Sequence, residues 1–422
     1  MHILVIGAGL AGLTCARTLV RAGQTVTVIE AAGAVGGRVR SDRVDGFILD
    51  HGFQVLFTAY PAAQRQLDYA ALQLRNFDPG AIICLNGTRA VLTDPLRDFA
   101  DALPAALSPL ISPVDKLRTL ALALELRAQT IDEVLAGPDT STEAYLLAKG
   151  FGPATLDRFF RPFYGGIFLD RSLATSAKCF KFDFKLLSEG ATVVPAAGMG
   201  VLSDQLAAEL FAAGAIRLHT RAEALLEQDG RVAGVILADG TTITADAVVV
   251  ATPAPEAARL SKLPMPSDQL GTVTLYFAGS VPLYRGRKLL LNAHPDAFVN
   301  NAVLLSNVAP SYAPPGQHLL SATVLGVPTL DDTELVARAM ADLRLMFVGD
   351  PAAQRALDTY QPLRLYRIPY AQFAQPPGLH PGLPDNQTAR PGLFFAGEFT
   401  EASSLNAAMI SGEKCAALII ES

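Results

Sequence analysis

Apolar and polar positions along this chain follow two rhythms, one of buried strands and one of helices. Ile3-Leu4-Val5-Ile6 is an unbroken apolar run, the pattern of a strand covered on both faces. Leu13 to Arg21 continues with helical period, Gly23 ends that helix, and Thr25 to Ile29 predicts a second strand closed by Glu30. From about Tyr60 to Ser188 the pattern turns helical, with runs such as Val114 to Leu122, and Pro95, Pro104, Pro109 and Pro113 punctuate the approach to that run. Around Pro195 the α/β pattern resumes. Ala197-Gly198-Met199-Gly200 leads into a helix to about Ala213, followed by a strand at Ile216 to His219. Gly230 to Leu237 and Thr241 to Thr244 predict a hairpin across Asp239-Gly240, and Ala247 to Ala251 a buried parallel strand stopped by Thr252-Pro253. A β-rich segment from about Gly271 to Leu325, an amphipathic helix at Asp331 to Phe347, a strand at Gly392 to Gly397 and a helix from about Leu405 to Ile420 complete the pattern.

These elements predict an α/β fold whose Rossmann-like nucleotide-binding domain is discontinuous. Residues 1–60, 190–260 and 385–422 would form that domain. Residues 61–189 and 261–384 would form an inserted α+β substrate domain, with 95–130 a helical subregion suited to membrane docking. A simple NAD dehydrogenase would instead carry its two nucleotide-binding halves contiguously.

The chemistry begins between the first strand and helix. Gly7-x-Gly9-x-x-Gly12 makes the turn: Gly7 bends it, Gly9 admits a pyrophosphate close to the backbone, and Gly12 lets helix pack on strand. The helix N-terminus offers unpaired N–H groups to phosphate. Glu30, eighteen residues after Gly12, is placed to accept hydrogen bonds from a ribose. Gly36-Gly37-Arg38 follows as a second phosphate-approaching turn with a cation beside it. At the other end, Leu393 to Glu398 is an apolar strand running into a glycine and an acid. The helix beginning near Leu405-Asn406-Ala407 would point its positive end at whatever Glu398 holds.

Composition narrows the partners. Half of the 422 residues are hydrophobic and 18% are charged, with a net charge of −6. The mean hydropathy is +0.30. No basic block is present, which argues against nucleic acid. Four cysteines without CxxC spacing and six histidines without HxH or HxxxH pairing predict neither a disulfide scaffold nor a metal site. The first strand starts too early for a signal or transit peptide, and no apolar window reaches the roughly 18–20 residues of a spanning helix. The expected location is cytoplasmic, either free or peripheral to a membrane.

Six stretches carry a resemblance to a known family: GAGLAGLTCARTLVRAGQTVTVIEA, VGGRV, GFILDHGFQVLFTAYP, DALPAALSPLISPVDKLRTLALAL, VVPAAGMGVLSDQLAAEL and FFAGEFTEASSLNAAMISGEKCA. Together they resemble the flavin-dependent amine oxidase superfamily, and within it the phytoene and ζ-carotene desaturases of plant and cyanobacterial type. The stretches LDRFFRPFYGGIFLDRSLATSAKCF and YRIPYAQF are also similar to protoporphyrinogen oxidases. Ala32 and Ala34 depart from the family's usual arginine pair, and Ala407 from its usual glycine.

The resemblance implies one non-covalent FAD in a fold of glutathione-reductase type. Gly7, Gly9, Leu10, Ala11 and Gly12 would surround the pyrophosphate, with Glu30 and Ala31 at the adenosine ribose and Gly36, Gly37 and Arg38 near the phosphates. Ala222 would face the adenine, Gly52 and Phe53 the flavin ring, Gly397 and Glu398 the ribityl-phosphate region, and Leu405, Asn406 and Ala407 the pyrimidine edge. The expected reaction is dehydrogenation of a lipophilic, isoprenoid or carotenoid-like substrate by hydride transfer to flavin N5. Dioxygen and a quinone both remain open as electron acceptor. Phe53, Phe159, Phe160, Phe163, Tyr164, Phe168, Tyr366 and Tyr370 are candidates to line its pocket. His51, Lys178 and Tyr366 are candidates for a catalytic side chain, with Lys181 and Lys185 as further lysines. Alternatives on the same scaffold are a protoporphyrinogen-type oxidase, an amine oxidase and a flavin-binding module without turnover.

Overall fold

The computed structural model describes residues 1–93, Leu103, Ala105 and 107–422. At its centre lies a five-stranded parallel sheet ordered Ile216–Arg217, Thr25–Ile29, His2–Ile6, Ala247–Val250 and Leu393–Phe395. The four strands beyond Ile216–Arg217 are almost wholly apolar because helices and a second sheet cover both faces. Ile3 to Ile6 and Val248 to Val250 are all at most 4% exposed. Strands from the chain's start, middle and end thus lie side by side, with Val248 to Val250 paired to Leu393 to Phe395.

Leu10–Arg21 is the first helix, starting three residues earlier than its apolar period predicts because Gly9 and Leu10 already turn over the strand end. It packs between helices Gly200–Ala212 and Leu405–Glu421. The contact with the last helix is tight: a Cβ at Gly412 would sit 2.5 Å from the Ala11 carbonyl oxygen. The strand predicted at Ile216 to His219 is shorter, ending at Arg217, and His219 takes a positive φ of 52°.

A seven-stranded mixed sheet forms the second layer, ordered Gln361–Phe373, Gln269–Gly279, His318–Leu325, Asn301–Leu304, Leu289–Asn292, Ala81–Leu85 and Thr88–Leu92. Its last two members correct the reading of 60–188 as helical. Ala81–Leu85 and Thr88–Leu92 pair across Asn86-Gly87, whose φ angles of 48° and 80° are those of a two-residue hairpin turn. Asp239-Gly240, by contrast, lies in a wider loop in which only Gly240 has positive φ. The long strand Gln361–Phe373 also lacks a clear alternating signature, because as an edge strand it buries only Phe373 completely.

Helices Pro113–Arg127, Ile131–Leu135, Thr142–Ala148 and Ala177–Glu189 stand over this sheet. Leu156–Phe160 is a π-helical turn that runs straight into Arg161–Phe168. Of the candidate docking segment 95–130, residues 95–102, 104 and 106 lie outside the described residues, including Pro95 and Pro104. The helix Pro113–Arg127 is capped by Ser112, whose hydroxyl accepts from the Asp115 N–H at 3.1 Å. Among the described residues, no helix is long and apolar enough to cross a membrane.

Candidate active site

Three loops at the carboxyl end of the parallel sheet converge on one cavity of about 1610 Å³. Ordinary ligand pockets span roughly 300–1,000 Å³, so this one has room for a dinucleotide and a second molecule. Its first wall is the turn after His2–Ile6. The helix that follows has Gly9 as N-cap, with no capping side chain and no acid in its first turn, so its N–H groups face the cavity without a protein anion. A Cβ at Gly9 would meet nothing within 4 Å, whereas one at Gly12 would fall 2.1 Å from the Gly7 carbonyl oxygen. Gly9 therefore leaves open space toward the cavity, while Gly12 is bare to let the helix close on the turn.

Glu30 sits at the end of the neighbouring strand. Its carboxylate accepts from the Ala8 N–H at 2.9 Å and the Ala32 N–H at 2.8 Å, which fixes it at the cavity wall. Arg38 crosses from the second glycine turn to Glu398, at 2.6 Å, and donates to the Ala371 carbonyl at 2.8 Å. Gln54 ties the same turn to the next segment by donating to the Arg38 and His51 carbonyls. On the far side, Ser404 caps the last helix by accepting from the Ala407 N–H, and the Asn406 carboxamide oxygen accepts from the Ala62 N–H at 2.9 Å.

Among the described residues, Thr252 Oγ1, Ser403 Oγ and Gln54 Oε1 are buried in this wall without a protein hydrogen-bond partner. Such atoms are costly unless a ligand or water satisfies them. An uncapped helix N-terminus, an open glycine, a ribose-height carboxylate and orphaned donors and acceptors along one wall fit a dinucleotide.

The family pattern of flavin-containing amine oxidoreductases matches residues 10–420. The chain belongs to that family. It is an FAD-dependent oxidoreductase. It is 23% identical over 460 residues to the 15-cis-phytoene desaturase of Solanum lycopersicum, covering 100% of this chain and 78% of that protein. It is 26% identical over 324 residues to the coproporphyrinogen III oxidase of Propionibacterium freudenreichii subsp. freudenreichii, covering 63% of this chain and 59% of the other. A putrescine oxidase solved with putrescine bound shares the fold, with a TM-score of 0.74, 21% identity and 100% of both chains covered.

Of the residues expected at FAD, Gly7, Gly9, Leu10, Ala11, Glu30, Ala31, Gly36, Gly37, Arg38, Gly52, Phe53, Ala222, Gly397, Glu398, Leu405, Asn406 and Ala407 all line the cavity. Gly12 does not; it lies beneath the turn.

The candidate catalytic residues divide. His51 and Lys178 line the cavity, but Tyr366 does not. Its hydroxyl donates to Asp42 at 2.7 Å, and the same Asp42 oxygen lies 3.0 Å from His51 Nε2, with the two rings 4.8 Å apart. Although partial burial would push the Asp42 carboxyl up, those two partners hold it below its ordinary value. His51 and Tyr366 are therefore braced on one carboxylate at the edge of the sheet.

Among the aromatic candidates, Phe53, Phe159, Phe163, Tyr164 and Phe168 line the cavity, whereas Phe160 and Tyr370 do not. Phe160 is fully buried behind the wall, and Tyr370 lies under the Arg38 guanidinium at 5.1 Å. Lys181 and Lys185 are also outside the lining. Lys185 is buried rather than solvated, donating to the Leu126 carbonyl at 3.1 Å and to Glu189 at 2.5 Å.

Besides Asp42, two buried carboxyls carry no local sequence signal. Asp50 is 2% exposed and accepts from the Ser41 hydroxyl, the Met199 N–H and the Tyr312 hydroxyl, while its own carbonyl accepts from Tyr276. Burial pushes it up to about 6 against those hydrogen bonds. It ties the segment leading to Gly52 and Phe53 to the seven-stranded sheet through Tyr276 and to the start of helix Gly200–Ala212 through Met199. The second, Asp183, lines the cavity from helix Ala177–Glu189. Nothing in its local sequence, Phe182-Asp183-Phe184, marks it as other than a polar break in an apolar helix.

Proposed function

We propose that this FAD-dependent oxidoreductase dehydrogenates a lipophilic, isoprenoid- or polyene-like substrate taken from a membrane surface. The observation that carries this reading is the continuity of the cavity, from the glycine turn at Gly9 to Leu117, Leu120 and Leu124 of helix Pro113–Arg127. That helix turns Val114, Leu117 and Leu124 outward at 55%, 68% and 53% exposure, and Leu103 and Leu107 before it are exposed at 67% and 74%. Contiguous exposed apolar side chains mark a binding surface. Lys116, Arg118 and Arg127 flank them, a charge pattern complementary to an anionic bilayer surface. A substrate dissolved in lipid would pass from that face into the cavity without crossing water.

Bound FAD supplies the capacity to accept a hydride from carbon. In this reading Glu30 holds the adenosine ribose, Arg38 and the Leu10–Arg21 helix N-terminus neutralise the pyrophosphate, and Glu398 receives the ribityl-phosphate region. The helix starting at Leu405 turns its positive end to the pyrimidine edge. Phe159, Phe163 and Phe168 exclude water and orient an extended substrate along the cavity.

The test is reduction of the purified holoprotein by a panel of polyenes, porphyrinogens and amines, followed as loss of the visible flavin absorbance under anaerobic conditions. Polyenes should bleach it. Bleaching by amines alone would overturn the proposal.

A further inference from the structure

Asp183 is 8% exposed and lines the cavity, yet no hydrogen bond or ion pair reaches its carboxyl among the described residues. Asp50, also buried, satisfies its oxygens with three donors. A buried carboxyl without partners is costly, and here it faces the cavity rather than packed protein. Burial alone pushes Asp183 from its ordinary 3.8 up to about 7, and no cation offsets it. Its surroundings are apolar and aromatic: Phe182 and Phe184 beside it line the cavity, and Tyr60 and Tyr164 are close enough for its charge to raise their hydroxyls further above burial's own effect. Cys179 on the same helix is raised likewise, first by burial and then by Asp183, so it is no thiolate nucleophile.

We propose that Asp183 is the polar subsite of this cavity and receives a hydroxyl group carried by the lipophilic substrate. The substrate is then an oxygenated isoprenoid or polyene rather than a bare hydrocarbon, which rests on the lipophilic reading above. A hydrocarbon would leave the carboxyl unpaired in an even drier cavity. An ammonium group would have to be desolvated together with an ionised Asp183 between Phe182 and Phe184, a costly pairing in an apolar wall. A hydroxyl is neutral and carries no such desolvation cost. It donates to the carboxylate and accepts from the carboxylic acid, so it pairs with Asp183 in either protonation state.

Equilibrium dialysis of the purified holoprotein against farnesol, farnesene and farnesylamine separates the cases. Farnesol should bind about tenfold or more tighter than farnesene, the ratio expected for one hydrogen bond to a buried, otherwise unpaired carboxyl. Asp183→Leu should abolish that preference without weakening farnesene, and Asp183→Asn, which still hydrogen-bonds, should keep most of it. An unchanged visible flavin spectrum checks that each variant is folded. Equal binding of farnesol and farnesene to the unaltered protein, or persistence of the preference in Asp183→Leu, overturns the subsite. Tightest binding of farnesylamine overturns it in favour of an ammonium site. If all three ligands fail to bind, the lipophilic reading falls and the subsite with it, whereas farnesene binding alone leaves that reading standing and removes only the subsite.

Discussion

The Arg38 guanidinium and the Glu398 carboxylate lie 2.6 Å apart, joining segments 360 positions distant in sequence across the middle of the cavity wall. Burial would lower the arginine, but Glu398, with a smaller contribution from Tyr370, holds it above its ordinary value. The pair closes the third segment of the fold onto the second glycine turn.

Arg38→Ala would leave Glu398 buried without its cation. The expected cost is about 3 kcal/mol, the low end for a buried pair because 31% of the Arg38 side chain is exposed. FAD affinity should fall by at least about tenfold. Glu398→Gln should be milder on both counts. Thermal melts of apoprotein and FAD titration of each variant and of the double variant measure the coupling.

Two glycines should fail in opposite ways. Gly9→Ala adds a methyl group to open cavity space, so the apoprotein should melt within about 0.5 kcal/mol of the parent while FAD affinity drops about tenfold or more. Gly412→Ala drives a methyl to 2.5 Å from the Ala11 carbonyl oxygen and 2.9 Å from Thr14 Cβ, away from the cavity. It should destabilise by about 1–3 kcal/mol, as overpacking does. Melting curves with and without FAD distinguish the two.

Asp183 sets a pH dependence of stability. Its folded-state value, about 7, lies above the ordinary 3.8. Between these values the folded chain holds a proton the unfolded chain has released, so stability falls as pH rises through that window. The full difference corresponds to about 4 kcal/mol, an upper bound. Asp183→Asn removes the effect. Its melting temperature should match the parent below the ordinary carboxylate range and exceed it above about pH 7.

Replacing Leu117 and Leu124 together by serine should leave folding within about 1 kcal/mol, because both side chains already face solvent. Flotation with phosphatidylserine vesicles should show at least about tenfold weaker association than the parent. Unchanged flotation would remove this helix as the docking face.

Local patterns carried much of the site. The glycine turn, Glu30, Gly36-Gly37-Arg38 and Gly397-Glu398 were legible because each task needs a particular residue at a particular chain position: a bare backbone, a strand-end acid, a helix N-terminus. The hairpin at Asn86-Gly87 was equally legible in principle. Its signal is masked because Ala81–Leu85 and Thr88–Leu92 sit among helices and mostly read as apolar runs. Gln361–Phe373 had no comparable signal, since an edge strand's pairing lies in its partner, Gln269–Gly279.

The sequence by itself determined that a dinucleotide fingerprint opens this chain, that an acid-ended strand returns near its close, and that the middle is apolar. Those are properties of residues near one another in the chain. Tertiary structure alone decided that Arg38 meets Glu398, that His51 and Tyr366 share Asp42, that Lys185 is buried, and that Asp183 faces a cavity without a partner among the described residues. Each of these depends on which distant surfaces remove water from a side chain. Burial, which sets both the strength of an ion pair and the proton affinity of a carboxyl, is a property of the packed whole.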